Sequence, residues 1–173
     1  EVAVLLGARG ADLEALLDSG AKPNLPGYEG STALHTAAIA DDPTYLELLL
    51  AHGGDPNAAH AVTGERPLAK AVGPRTAVQF SMLLKAGADP NLADRTGNTP
   101  LHRAAMVNAG DSVLALLEAG ANPQAKNAQG ATFQPYYFGV PANVLSDDAR
   151  KDHAAVLQWL RAHDVPIEKD TSG

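Results

Sequence analysis

The sequence predicts an all-α fold, a solenoid of about five stacked helix–turn–helix repeats, on three observations. Four prolines recur at nearly constant intervals of 33, 34 and 33 residues: Pro23, Pro56, Pro90 and Pro123. A pair of leucines lies upstream of each proline, and self-similarity at one fixed period over most of a chain is typical of repeat architectures. Apolar residues make up 45% of the chain and aromatic residues only 5%, so the core must consist mainly of alanine and leucine, which favours closely stacked short helices.

The segment "GNTPLHRAA" shows how one repeat begins. Gly97 suits a turn that needs positive φ, Thr99 suits the N-cap of a helix, and Pro100 suits its first turn, where a missing N–H costs little. An apolar stripe follows at helical spacing, and a second helix with a leucine pair ends at Gly120. Because two short helices cannot bury their apolar faces alone, neighbouring units must stack on one another.

The segments "GNTPLHRAA…LALLEAGANPQ" and "GSTALHTAA…LELLLAHGGDPN" resemble the ankyrin repeat family, and "GERPLAKAV…SMLLKAGADPN" resembles it more weakly. The resemblance covers about residues 1–132 closely and 150–167 loosely. It implies β-turn fingers, antiparallel helix pairs, and an elbow-shaped solenoid with a concave face. We expect one domain with an irregular C-terminal capping repeat. The expected repeats span about 1–26, 27–59, 60–93, 94–126 and 127–173, the last with an insertion near 133–150.

Two histidines, His35 and His102, occupy the histidine position of the family's "TPLH" motif. The resemblance implies that each imidazole bonds backbone or hydroxyl groups between repeats, since a neutral ring offers both a donor and an acceptor. A role as ligand or general base is the alternative. Ala69 replaces this histidine in the third repeat, where Gly73 and Pro74 also interrupt the helix pair. We therefore expect a weaker polar tie there, and the least protection against hydrogen exchange.

Charge and composition exclude several classes of protein. Thirteen basic and twenty acidic residues give a net charge of −7, the wrong sign for replacing phosphate counterions, so we expect no nucleic acid partner. No apolar run approaches the roughly 20 residues that span a bilayer, and the absence of cysteine excludes disulfides. The sequence opens at Glu1, from which we expect a cleaved or trimmed native N-terminus; this leaves the cytoplasm and the bacterial periplasm both open.

No catalytic or metal-binding motif is present. The six histidines show no HExxH spacing, and the chain has neither a GxSxG motif nor a P-loop. The pairs Asp41–Asp42 and Asp147–Asp148 fall in predicted loops, where solvated turn residues are the ordinary interpretation. We therefore predict no enzymatic activity, no cofactor and no metal. An enzyme that uses Asp147, Asp148 and His153 of the insertion is held in reserve.

Function in such a solenoid belongs to side chains that project from the stack. The resemblance places them on the finger tips, along the exposed side of each first helix, and in the C-terminal insertion. Exposed Tyr, Arg, Met and aliphatic residues suit protein contacts, although several of them could simply cover the next finger. The predicted partner-binding residues are Tyr28, Glu29, Ile39, His60, Val62, Arg95, Asn98, Met106, Gln129, Tyr136 and Tyr137.

The last repeat departs from the period, since 43 residues separate Pro123 from Pro166. The extra length surrounds "TFQPYYFGVPANVLSDDARKD", and a capped amphipathic helix follows it. One interpretation makes this segment a cap that hides the open apolar end of the stack. The other makes it a binding loop. Both hold together if Phe133 packs inward while Tyr137 projects.

Two functional classes follow. The first is a stand-alone bacterial binding protein, monomeric when free, that grips a protein partner through its concave face and fingers. A basic or toxin-like partner would make it an immunity or inhibitor protein. The second is a periplasmic scaffold or protective factor that supports an oxidative-stress enzyme.

Overall fold

Nine α-helices and no strands make up the regular structure of the part of the chain that the computed structural model describes, residues 10–141 and 143–168 without the side chain of Tyr28. The beginning of the first predicted repeat, residues 1–9, lies outside this part. The all-α prediction is confirmed. The helices are α1 Gly10–Asp18, α2 Ala33–Ala37, α3 Thr44–Ala51, α4 Pro67–Lys70, α5 Ala77–Lys85, α6 Pro100–Met106, α7 Gly110–Glu118, α8 Gln134–Phe138 and α9 Asp147–Ala162.

The helices pack in consecutive pairs, and the pairs stack in chain order. The first helices form one row, in which α2 contacts α4, α4 contacts α6, and α6 contacts α8. Second helices pack behind them, with α1 on α3 and α7 on α9. Leu34, Leu68 and Leu101 take the same position of α2, α4 and α6, and each is at most 1% exposed. The core is thus a continuous column of leucine and alanine that no single repeat could bury alone.

His35 and His102 each tie their own repeat to the next, as predicted. Nδ1 of His35 accepts the N–H of Thr32 at 3.2 Å, so Nε2 carries the proton and donates to the carbonyl oxygen of Glu65 at 2.9 Å. His102 repeats the arrangement, with Thr99 at 3.2 Å and the carbonyl oxygen of Ala131 at 3.1 Å. Both rings are buried and fully engaged in these bonds, which leaves them no part in ligand binding.

Asparagine side chains form a ladder of hydrogen bonds between repeats, which the sequence analysis missed. Asn24, Asn57 and Asn91 follow the recurrent prolines, and each spans the gap to the next repeat with both ends of its amide. Asn57, for example, donates to the carbonyl oxygen of Gly87 at 3.1 Å and accepts the N–H of Asp89 at 2.8 Å. The equivalent bonds of the other two lie between 2.7 and 3.1 Å. The ladder fixes the ends of the second helices, which the histidines do not reach.

The third repeat has the weaker polar tie that was expected. Among the hydrogen bonds of the described residues, the carbonyl oxygen of Asn98 accepts only the N–H of Asp94, because Ala69 cannot reach it. Helix α4 has only four residues. Gly73, in the loop that follows it, has φ 124°, a backbone conformation that favours glycine. That the amide hydrogens of this repeat exchange before those of the other repeats stays a prediction, which native-state hydrogen exchange would check.

The C-terminal segment closes the stack. Phe133 packs inward as predicted, but the prediction that Tyr137 projects is wrong, because its side chain is fully buried. Tyr137 takes the position that Ala104 holds in α6. Its larger ring fills the end of the core beneath α9, with its centre 4.2 Å from the ring centre of His153. Gln134 replaces the core leucine, and its amide pairs with the backbone of the C-terminal segment at Pro166 and Glu168. These contacts favour the cap interpretation.

Helix α9 begins as predicted, since Oγ of Ser146 accepts the N–H of Ala149 at 3.2 Å, and its residues Val156 and Leu160 are fully buried. It crosses the first turn of α7 at the one place where α7 has no side chain. A Cβ added to Gly110 would lie 2.3 Å from the Cβ of Asp152. The cap therefore depends on a glycine at this crossing.

Replacing Gly110 by alanine should lower the free energy of unfolding by about 1–3 kcal/mol, because α9 must move away from α7. The matched change is Gly10→Ala at the first residue of α1, where an added Cβ would meet its nearest atom at 3.8 Å. We expect that variant to be neutral or up to about 1 kcal/mol more stable. Urea unfolding of both variants measures the difference, and equal stability would contradict the close crossing.

Burial lowers the pKa of three histidines, His35, His102 and His153, below their ordinary value of 6.5. The unfolded chain therefore binds protons first as the pH falls, so the free energy of unfolding decreases below about pH 6.5. His52 acts in the opposite direction, because hydrogen bonds to Leu48 and Asp18 raise its pKa, but it lies at the surface. The net expectation is lower stability at mildly acidic pH.

We expect His102→Ala to destabilise the protein by about 1–3 kcal/mol near pH 7.5, since the N–H of Thr99 loses its acceptor and the carbonyl oxygen of Ala131 loses one of its two donors. When the pH is lowered from about 7.5 to about 5.5, the free energy of unfolding should fall less in this variant than in the unchanged protein. The reason is that the variant lacks one histidine whose pKa is lowered in the folded state. Urea unfolding at both pH values measures the two effects. Parallel losses in the two proteins would show that His102 does not contribute to the pH dependence.

Candidate functional site

The fingers form a backbone ladder along one edge of the stack. The N–H groups of Ala61, Arg95 and Ala128 donate to carbonyl oxygens of the preceding fingers, at Gly30, Thr63 and Thr96, over 2.8–2.9 Å. Each finger is therefore held in register with its neighbour without the use of side chains. Four glycines at positive φ close these turns, as the sequence analysis expected of Gly97: Gly30, Gly64, Gly97 and Gly130.

The predicted finger residues divide into two groups. Glu29, Val62 and Gln129 are exposed at the tips, with Val62 61% exposed. The others carry bonds that hold the fingers: Nδ1 of His60 accepts the N–H groups of Val62 and Thr63, and Arg95 donates to the carbonyl oxygen of Ala61 at 2.8 Å. Asn98 accepts from the side chain of Asn127 in the next finger. The side chain of Tyr28 lies outside the described part of the structure.

Two predicted contact residues, Ile39 and Met106, lie away from the fingers. Both are exposed, at 52% and 39%, but they stand at the C-terminal ends of α2 and α6, beside the loops that connect the helices of a pair. The structure therefore does not bring them together with the finger tips. They belong to a second edge of the molecule.

A row of half-buried side chains on the first helices faces the fingers. We call it the finger-face row; it holds one residue of each first helix at the same register, Thr36, Lys70, Arg103 and Tyr136. Of these, the sequence analysis singled out only Tyr136. The signal was present, since each residue follows the histidine position of its repeat or the residue that replaces it, and a fixed period brings equivalent positions side by side.

Glu65 organises the centre of this row. Its carboxylate lies 3.4 Å from Nε of Arg103 and 3.9 Å from Nζ of Lys70, so one finger residue joins the first helices of two repeats. The Glu65 side chain is 17% exposed, whereas those of Lys70 and Arg103 are 28% and 43% exposed. Two cations share one carboxylate here, and the centre of the row is locally positive on an acidic protein.

Tyr136 ends the row at the capping repeat. Its hydroxyl accepts a hydrogen bond from the side chain of Asn127 at 2.9 Å, and its ring stands edge-on to His102, with the ring centres 6.4 Å apart. The ring is therefore fixed on the finger side while part of it stays accessible. A tyrosine held in this way can contact a partner with little loss of conformational entropy.

The residues of the reserve enzyme hypothesis do not form one constellation. Asp147 and Asp148 lie in the first turn of α9 rather than in a loop, where they pair with Arg150 and Lys151. His153 bonds the side chain of Asn108 at 2.8 Å. Within the described ranges, no group of three or more His, Cys, Asp or Glu side chains is placed to hold a metal ion. Nor does any helix of those ranges have the length and apolarity needed to cross a membrane.

Comparisons with known proteins identify the family. The sequence matches ankyrin repeats (3 copies) over residues 2–94 and 59–127. It is 51% identical to protein PhlB of Serratia liquefaciens over 96 residues, which are 56% of this chain and 42% of PhlB. It is also 37% identical to neurogenic locus notch homolog protein 1 of Xenopus tropicalis. That match covers 117 residues, which are 65% of this chain and 5% of the notch homolog.

A third relative, the B-cell lymphoma 3 protein homolog of Mus musculus, is 35% identical over 97 residues, which are 54% of this chain and 22% of that protein. The chain thus spans less than half the length of each of these curated relatives. The period, the stacked helix pairs and the matched residues lead to one conclusion. The chain belongs to the ankyrin repeat family, whose repeats generally mediate protein–protein interaction.

Proposed function

We propose that the protein binds a partner protein through the finger-face row and the exposed finger tips. The observation that carries this proposal is the alignment of Lys70, Arg103 and Tyr136 on three successive first helices. All three are half-buried; Lys70 and Arg103 form ion pairs with Glu65, and Tyr136 is hydrogen-bonded to Asn127. Arginine and tyrosine are enriched among residues that dominate binding energy, because they combine area with directed polar contacts. A rigid stack that presents them at fixed spacing spends little entropy on association.

The chemistry of the row indicates what the partner must offer. Arg103 and Lys70 share Glu65, which leaves donor capacity for a carboxylate or a carbonyl group of the partner. Val62 and Tyr136 supply apolar area at the two sides of this centre. We therefore expect an acidic or acceptor-rich patch on the partner to meet the row, although the net charge of −7 favours a partner that is basic overall.

Within this function we propose, more finely, an immunity or inhibitor protein that blocks a bacterial toxin. The relative PhlB comes from a bacterium, and the net charge of −7 suits a basic partner. The test is inhibition of purified toxins encoded beside the gene, titrated against this protein. A stoichiometric loss of toxin activity would support the subtype, and full activity at saturation would exclude it.

The periplasmic scaffold is the alternative to this subtype. It requires export, so fractionation of cells that express the complete gene separates the two. A product confined to the cytoplasm would exclude the scaffold. In either case the finger-face row is the proposed contact surface.

The predicted result for the contact surface is a loss of partner binding in Arg103→Ala by at least about tenfold. The matched change is Lys85→Ala at the exposed end of α5, which we expect to leave affinity unchanged. The partner is first captured and identified with a photo-crosslinking amino acid placed at position 136. The affinity of the purified partner for each variant is then measured by calorimetry. Equal affinity of the two variants, with unfolding curves that show both are folded, would place the contact elsewhere.

A further inference from the structure

A groove crosses the second edge of the stack at the third repeat, and we call it the loop-edge groove. It consists of two adjoining cavities of about 600 Å³ and 400 Å³, which share four lining residues: Gly73, Pro74, Asn108 and Ala109. The larger cavity extends toward Ile39, and the smaller extends toward Asp152 on α9. The groove thus passes from the loop after α2 to the capping repeat.

The departure of the third repeat from the pattern creates this groove. Gly73 stands at the position that Ile39 and Met106 hold in the neighbouring repeats, so two exposed side chains flank a missing one. A Cβ added at Gly73 would meet no heavy atom within 4 Å. The space above this glycine is therefore open, and its φ of 124° disfavours any side chain that would fill it.

Hydrogen bonds across three repeats hold the floor of the groove. The N–H of Gly73 donates to Oγ of Ser112 at 3.1 Å, and Oγ1 of Thr76 donates to the carbonyl oxygen of Ala71 at 2.7 Å. The buried amide of Gln79 donates to the carbonyl oxygen of Ala40 in the second repeat. The floor is therefore preformed, which lowers the entropic cost of binding.

The two ends of the groove differ in charge. At the larger cavity, Arg75 and Asp41 neutralise each other at 3.3 Å, and the exposed side chains of Ile39 and Val107 leave this part mostly apolar. At the smaller cavity, Asp111 and Asp152 line the wall together with Phe80 and Ala115. No cationic side chain of the described residues forms an ion pair with either carboxylate.

Asp152 lies in partly desolvated surroundings, whereas Asp111 is exposed. Burial and the neighbouring charges of Asp111 and Asp148 raise the pKa of Asp152, so its ionised form is held at an energetic cost. The hydroxyl of Tyr137 is buried without a hydrogen-bond partner, and the charges of Asp152 and Asp111 act on it. An entering cation would relieve the repulsion between the carboxylates, whereas an anion would increase it.

We propose that the loop-edge groove is a second docking site, which takes an extended segment of a protein partner. An apolar side chain of that segment lies over Gly73 between Ile39 and Val107. A basic side chain enters the smaller cavity, where its alkyl stem packs on Phe80 and Ala115 and its charge meets Asp111 and Asp152. This surface meets the finger-face row at Lys70, which also lines the larger cavity, and extends from there to the second edge, so a partner can be held at both edges of the stack.

The experiment titrates the isotope-labelled protein with two acetylated and amidated pentapeptides, Ala-Leu-Ala-Lys-Ala and the same sequence with glutamate for lysine. The lysine peptide should shift the amide signals of Gly73, Asn108, Gly110 and Ser112, and the glutamate peptide should not. Asp111→Asn combined with Asp152→Asn should raise the Kd of the lysine peptide at least about fivefold. The matched change Glu118→Gln, at the other end of α7, should leave it unchanged.

A second pair of variants tests the apolar part. Ile39→Ser should raise the Kd about threefold, whereas Val78→Ser, a similarly exposed aliphatic residue on α5 outside the groove, should not. Unmoved groove amides, equal shifts with the glutamate peptide, or unchanged affinity in the double asparagine variant would overturn the proposal. Lys70 of the finger-face row lines the larger cavity but is unchanged in every variant, and Arg103 does not line the groove, so these outcomes are distinct from the Arg103→Ala test.

Discussion

Contact between neighbouring repeats is the interaction on which the whole structure depends. The first helices have between four and seven residues, too few to be stable in isolation or to bury an apolar stripe alone. Stacking buries Leu34, Leu68 and Leu101 in one column, and the histidine and asparagine bonds fix the spacing of the column at both ends. Stability is therefore shared along the chain, and a loss in one repeat weakens those beside it.

The same spacing produces the binding surface. Residues at one register of successive repeats must come side by side, so a row of side chains appears that no local segment of sequence contains. Lys70 and Arg103 lie 33 residues apart in the chain, yet both reach Glu65. Because the core positions fix the register, outward positions can differ between repeats without loss of fold, and recognition can be built from them.

The period was enough to predict the stacked repeats, and the resemblance to ankyrin repeats implied the structural role of His35 and His102. It did not reveal the asparagine ladder, because the sequence shows Asn24, Asn57 and Asn91 only as turn residues, and their partners lie 29 to 32 residues away. Tyr137 was misplaced because tyrosine suits protein contacts and was assigned to the binding loop, whereas the repeat register puts it at a core position. Register was a better guide to burial than residue type.

In the third repeat, departures from the repeat pattern lower the local stability and open a groove in the surface. Ala69 removes a bond between repeats, and Gly73 with Pro74 shortens α4, so two stabilising features are absent from one unit. The groove occupies the space that they leave, and its floor is held instead by Gln79 and Ser112 from other elements. The groove is supported by hydrogen bonds across three repeats and ends at two carboxylates that form no ion pair within the described residues. That combination is the physical reason to regard the irregular repeat as a binding feature rather than a defect of the stack.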